Sequence, residues 1–454
     1  MASVARTYVR TALAPSEPPP PAMTSTFALL VRSLFASPLN VVLTFLSAAA
    51  IALVLPPLIR FLIIDAVWEG TGRDDCLGIS GACWPFIRAK FGQFIYGFYP
   101  IAERWRPNLV FAIGAILLAP LLVPSAPFKR LNALLFFGVY PLVTFVLLTG
   151  GNLEMRAFLL GHIFDWNSLA GVGGEAGLRW SFWSDFVVST ALITALAAVV
   201  AKFFGTAIRS AVTATLMIFA VLGAILLAVD LDFGLERVQT RLWGGFLVTL
   251  IVAVTGIVFS LPIGILLALG RRSSMPIIRV LSIAFIEFWR GVPLITVLFF
   301  AAYMLPLFLP RNFTFDTLLR ALIGVSLFSG AYMAEIIRGG LQAIPRGQYE
   351  AASALGLGYW RTMGLVVLPQ ALVLVIPGIV NNFIALFKDT TLVLIIAIFD
   401  LLGQLRAAFS DPNWATPVTL YTGFAFAGII YFVFCFAMSR YALFVERSVA
   451  VPGR

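Results

Sequence analysis

The sequence predicts an all-α, polytopic membrane protein of about ten transmembrane helices, on three observations: an apolar composition, repeated uninterrupted apolar runs, and basic residues confined to alternate connections. Of its 454 residues, 61% are hydrophobic and 11% charged, and the mean hydropathy is +0.99. A surface that apolar belongs against lipid rather than water. A helix needs roughly 20 apolar residues to cross a hydrocarbon core, whereas a spanning β-barrel would alternate with a period of two, which these runs do not.

Taken in order, residues 1–38 carry Arg6, Arg10 and the run Pro18 to Pro21 before any apolar segment, which predicts a disordered cytoplasmic tail. A cleaved signal peptide would place its apolar region earlier and end it in small residues. Residues 39–230 predict an N-terminal extension of five crossings, near Leu39–Ile64, Asn108–Val123, Leu131–Gly150, Phe186–Ala201 and Ala211–Val229. Residues 243–449 predict five more, near Trp243–Gly270, Val280–Leu309, Leu318–Ile337, Met363–Phe387 and Thr416–Phe444, with Leu392–Leu402 as a short apolar appendix. Both termini are expected in the cytoplasm. Alternation then puts Lys129, Arg130, Lys202, Arg209, Arg271, Arg272, Arg279, Arg338, Arg346, Arg361, Arg440 and Arg447 on the cytoplasmic side, as the positive-inside rule asks. The net charge of +10 is therefore a topology signal and not the footprint of a nucleic-acid binder.

The connections Asp65–Arg106 and Gly151–Asp185 fall outside. Cys76 and Cys83 share the first of them, either as a disulfide or as two free thiols, while Cys435 reads as packing within the last apolar run. A phosphate-cradling loop needs Gly-Lys followed by Ser or Thr, but Lys90, Lys129, Lys202 and Lys388 precede Phe91, Arg130, Phe203 and Asp389. The sole histidine, His162, lies outside the second-half crossings, which excludes a nucleophile–histidine–acid set there and leaves nothing for a metal site.

The most informative connection is Gln342–Pro369, QAIPRGQYEAASALGLGYWRTMGLVVLP. Pro345 suits a helix start, Glu350, Ala351, Ala352 and Leu355 fall at helical spacing, and Gly356 with Gly358 provides a break before a second helix. The result is a short helix lying across the membrane face, shaped to enter a groove on a soluble partner. Within the spans, Glu287 and Arg290 lie one turn apart and can pair, as can Glu335 and Arg338. The first pair reads as a packing clamp or as part of a substrate path; the second reads as a snorkelling ion pair. Ser326, Gly330 and Ala334 recur every four residues and give one helix a small-residue face. Asn381, Asn382, Lys388, Asp389, Thr390 and Thr391 make a polar stretch where apolar residues are expected. A helix interrupted there would offer backbone groups to a zwitterion; alternatively Lys388 and Asp389 merely finish a helix at the interface.

Glu350-Ala351-Ala352, Gly356 and Val366-x-Leu368-Pro369 at their spacing resemble the EAA motif of ABC-importer permeases, with valine where isoleucine is commoner. Gly245 to Leu250, Phe288 to Leu294, Ser329 to Glu335, Pro369-Gln370-Ala371 and Lys388 to Leu392 resemble, in the same order, the polar amino-acid uptake branch. The long first half is most similar to the general L-amino-acid transporter permeases. The resemblance implies a type I ABC-importer permease core in the C-terminal half, whose coupling loop, 342–369, sits in a cleft of the ATPase subunit. It also implies no enzyme activity and no cofactor in this chain, with ATP and Mg on the ATPase subunits. A second permease subunit, a periplasmic amino-acid-binding protein, an L-amino-acid substrate and a bacterial inner membrane complete the expectation. An ion-driven secondary transporter is the alternative. It would need carboxylates near mid-membrane and paired half-repeats, neither of which is clear.

Overall fold

A computed structural model describes residues 31–123, 125–151, 160, 174–203, 208–308 and 316–449. The first thirty residues, His162 and most of the connection Gly151–Asp185 lie outside the described residues. Among the described residues the architecture is helical, broken only by isolated bridges such as Val67 with Cys83 and Gly97 with Trp243. Nine helices among the described residues are long and apolar enough to cross a membrane, or ten if one sharply bent pair counts as a span.

The first half supplies α1 (Pro38–Ile64), α2 (Trp84–Tyr96), α3 (Ile101–Leu122), α4 (Lys129–Thr149), α5 (Gly174–Phe203) and α6 (Ile208–Asp230). The second half supplies α7 (Gly245–Arg271), α8 (Pro276–Gly291), α9 (Leu294–Phe308), α10 (Thr317–Ala343) and α11 (Arg346–Ala354). Short turns over 359–374 lead to α12 (Ile376–Ile396), then α13 (Leu401–Ala408) and α14 (Pro417–Val449).

Local chemistry sets the ends and bends. Ser37 caps α1 by accepting from Asn40 N, with Pro38 next, where its missing N–H is harmless. Asp316 caps α10 and Asp400 caps α13 through their carboxylates. Three π-turns, Leu135–Val139, Phe300–Met304 and Met363–Val367, each end two residues before a proline. The proline ring would strike the carbonyl four residues back, and widening the helix there removes the clash. At Pro306 that carbonyl belongs to Ala302, which accepts instead from Arg320 Nη1 at 2.5 Å.

The structure corrects three expectations. The run Val280–Leu309 is not one straight crossing: α8 and α9 meet at an angle of 102°, broken at Val292-Pro293, because Pro293 starts a new helix from extended backbone. The ninth crossing is displaced from Met363–Phe387 to α12, with a break at Val375. Within α12 the helix is not interrupted at Asn381–Asp389; it stays α-helical to Asp389 and tightens to a 3₁₀ turn from Thr390. The polar residues there are accommodated on a helix face, so the backbone keeps its own hydrogen bonds.

Three clusters hold the second half together. The first joins Leu247, Val248 and Val252 of α7 to Leu294, Val297 and Leu298 of α9, to Val325 of α10 and to Val393 and Ile396 of α12. Within it α7 and α10 lie closest, along the small-residue face read from the sequence: a Cβ on Gly330 would lie 2.5 Å from Ile263 Cγ2. The second cluster sits where α2 meets α13 and α14, combining Phe86 and Phe94 with Leu401, Leu405 and Trp414. The third gathers Ile337, Leu341, Ile344, Met363 and Val367 beside α11.

The connection Asp65–Arg106 holds a packed helix, α2, which its composition did not announce. Cys76 and Cys83 are bonded there, with their Cα atoms 5.8 Å apart. Gly97, at φ +67, ends α2 where a Cβ would lie 2.5 Å from Gly244 Cα, so only glycine admits this approach to the start of α7. Cys435 is free and half-buried.

Candidate functional site

α11 starts from Pro345, at the N-cap, and closes at Leu355 by a Schellman motif: Gly356 N donates to Ser353 O at 2.9 Å and Leu357 N to Ala352 O at 3.1 Å. The motif requires a left-handed residue after the cap, and Gly356 has φ +71. Gly358 then caps the next turn, with Thr362 N donating to its carbonyl at 2.9 Å. Ala352 faces inward at 2% exposure, while Glu350, Ala351 and Gly356 are open to solvent. Leu355 is 79% and Trp360 73% exposed, which leaves an apolar edge beside the Glu350 carboxylate. Shape, apolar edge and acid together present a short helix that a concave protein surface can grip.

This helix is tied to the long ones. Arg272 at the end of α7 donates from Nη1 to Leu341 O at 3.0 Å and to Tyr349 Oη at 3.1 Å, and its guanidinium lies 5.7 Å from the Tyr349 ring centre. Gln370 Nε2 donates to Gln348 Oε1 at 3.2 Å and to Val366 O at 2.8 Å, which fastens the turns after α11 back onto it.

Beside that end lies an ion network across three helices. Glu335 of α10 accepts from Arg271 Nη1 at 2.8 Å and from Arg338 Nε at 2.9 Å, and pairs with Arg290 Nη1 at 3.7 Å. Arg271 also donates to Glu287 Oε1 at 2.9 Å. The expected Glu335–Arg338 pair is present. Glu287 and Arg290 instead partner other helices, because α8 lies against both α7 and α10 and cross-helix partners are within reach. Arg290 also stands 5.7 Å from the Tyr332 ring centre.

The polar stretch of α12 divides by helix face. Asn381 and Lys388, seven residues apart, lie on an open face. Asn382 and Asp389 form a half-buried stripe beside it, and Asn382 Nδ2 donates to Ser329 Oγ of α10 at 3.3 Å. Thr390 is buried and donates to Phe387 O at 2.8 Å, while Thr391 donates to Lys388 O at 2.9 Å. The two threonine hydroxyls thus finish the helix, while the asparagines, Lys388 and Asp389 retain donor and acceptor capacity for a small zwitterion. Glu287 and Arg290 do not join them; they belong to the network near α11.

Sequence reasoning missed Arg271, Arg272 and Tyr349 as working parts. The Arg271-Arg272 doublet at the end of an apolar run was legible, but only as a sidedness signal. It also missed Asp400, buried under α14, which accepts from Leu402 N, Gly403 N and Tyr431 Oη. Burial pushes its carboxyl above the usual range, and those hydrogen bonds oppose the shift.

A family model described as the binding-protein-dependent transport system inner membrane component matches residues 260–451. Over 435 residues the chain is 42% identical to the inner membrane amino-acid ABC transporter permease protein YhdY of Escherichia coli, covering 95% of this chain and 96% of that one. It is 39% identical over 453 residues to the glutamate/glutamine/aspartate/asparagine transport system permease protein BztC of Rhodobacter capsulatus, covering 97% and 98%. The probable glutamine ABC transporter permease protein GlnP of Bacillus subtilis is 34% identical over 45% of this chain and 92% of its own length. A crystal structure of an amino acid ABC transporter with histidines aligns at 29% identity and a TM-score of 0.40, over 45% of this chain and 92% of that one.

Proposed function

Because the chain belongs to the amino-acid ABC-transporter permeases, as a multi-pass inner-membrane subunit, we propose that α11 is its coupling helix and that the energy arrives from ATP hydrolysed on a separate subunit. The observation that carries this reading is the build of α11: a short helix closed by Gly356, open at Glu350 and Leu355, and bound through Tyr349 and Arg272 to the end of a spanning helix. Glu350, Ala351, Leu355 and Gly356 meet the ATPase, and Ala352 seats the helix on the protein's own core. ATP and Mg act on the ATPase subunits. A second permease subunit completes the path, and a periplasmic binding protein delivers an L-amino acid. Both termini lie in the cytoplasm. Residues 243–449 form the permease core, with 342–369 as its coupling loop, and 39–230 form the added helices.

The amino acid is met on α12, where Asn381, Asn382, Lys388 and Asp389 offer a cation, an acid and two amides to its carboxylate and ammonium. When both ATPase and loaded binding protein favour one conformation, the two binding events are linked through this chain.

Co-purification of the ATPase tests the first part. Glu350→Lys or Gly356→Asp releases the ATPase and abolishes uptake while the protein still inserts; retained ATPase with undiminished uptake in both variants removes the assignment. For α12, Lys388→Ala or Asp389→Ala shifts affinity or selectivity with the ATPase still bound. Unchanged uptake across a panel of amino acids returns both residues to helix termination.

A further inference from the structure

The bent α8–α9 hairpin joins the two regions just described. α8 lies at the α11 end, and among the described residues only its Ser282 and Ile286 side chains are buried. α9 turns away by 102° and packs Leu294, Val297 and Leu298 into the cluster that also holds Leu386, Val393 and Ile396 of α12. One arm therefore touches the helix that carries Lys388 and Asp389, and the other lies beside the helices that carry α11.

Besides the packing of Ile286 and Trp289, charge fastens the α8 arm. From α8, Glu287 reaches Arg271 of α7 and Arg290 reaches Glu335 of α10. Arg271 itself reaches Glu335, so α7, α8 and α10 share one network with Glu335 at its centre. The neighbouring Arg272 binds the α10 carbonyl of Leu341 and Tyr349 of α11. We propose that Glu335 is a positioning residue for transport: its network latches α8 to the helix pair that moves with the coupling helix, so that the α8–α9 lever delivers that motion to α12. This rests on α11 being the coupling helix. Partly exposed ion pairs suit such a latch, since each is weak enough to break and re-form as the helices shift. An apolar contact of the same area would not be as selective for one arrangement, because hydrophobic packing lacks direction.

A double-mutant cycle tests it in proteoliposomes holding the full transporter, with radiolabelled L-glutamate and L-glutamine as probes and the number of molecules taken up per ATP hydrolysed as the readout. Arg290→Gln and Glu335→Gln each lower that ratio about fivefold with the ATPase still in the complex, and the double variant is no worse than the poorer single one. Arg290→Lys, which keeps the charge, stays within about twofold of the original ratio. A ratio unchanged in Arg290→Gln overturns the proposal, as do multiplicative losses in the double variant or dissociation of the ATPase. Glu350→Lys and Gly356→Asp that both keep their ATPase and their full uptake would instead sink the coupling-helix reading, leaving the cycle itself readable.

Discussion

Where α2 meets the start of α7, the chain approaches itself backbone to backbone, with Gly97 against Gly244 and a Gln93–Gln404 hydrogen bond of 3.1 Å, and a disulfide closes the loop that leads into the other end of α2. At the end that carries α11, contact is made by long side chains: Arg271, Arg272, Arg290 and Arg338 bridging to carboxylates, a carbonyl and a phenol. Glycine contacts and a covalent bond admit one geometry, because nothing in them can rotate to follow a displacement. Arginine forks on flexible stems admit several, each at small cost. One end is therefore built to stay, and the other to exchange partners. The added first half contributes to the fixed end: α2 is part of the same cluster as α13 and α14.

Four measurements break or sharpen this contrast, each read as thermal or denaturant stability of the purified protein. The largest effect belongs to Gly97→Val, which forces a branched side chain into a left-handed position against backbone and costs roughly 3 kcal/mol. A change within 0.5 kcal/mol, on the order of an exposed surface site, would remove the claim of a fixed junction. Replacing Cys76 and Cys83 together by serine opens a short loop and costs about 2 kcal/mol, matched in the original protein by added reductant. Equal stability with and without reductant would deny the staple its role.

Arg272→Gln, at the exchanging end, costs about 1 kcal/mol. A loss as large as that of Gly97→Val would mean that both ends are equally rigid. The smallest effect concerns Lys90 and Asp411, an ion pair tying α2 to the turn after α13. The hydrogen bond from Lys90 holds the Asp411 carboxyl below the usual range. Its stabilisation is thus fully present above the unfolded carboxylate value near pH 4 and fades as pH falls through the lowered folded value, by about 0.5 kcal/mol in all. Lys90→Ala removes that acid-side dependence, and an unaltered acid limb would mean that other carboxylates account for it.

Much of the fold was legible because lipid imposes a simple rule: every spanning segment must be a long apolar helix, and such runs announce themselves. The short helix α11 was legible for a similar reason, since Pro345 and Gly356 each act on their own backbone. The ion network was not legible, because Glu287 and Arg290 at helical spacing predict a partner on their own helix, and only the approach of α7 and α10 offers better ones. α2 was hidden by its mixed composition: Trp84, Phe86 and Phe94 alternate with Arg88, Lys90 and Gln93, and the apolar side has meaning only against α13 and α14.

The sequence by itself determined the class of the protein, the approximate place of most of its apolar spans, and the short helix closed by Gly356. These depend on local properties, apolar length and backbone preference, which act within a window of about 20 residues. The tertiary structure alone decided that Val280–Leu309 would bend sharply at Pro293, that Glu335 would collect arginines from three helices, and that α2 would close over the start of α7. Those outcomes depend on which faces meet, and contact energies between residues far apart in the chain are written in no single stretch of it.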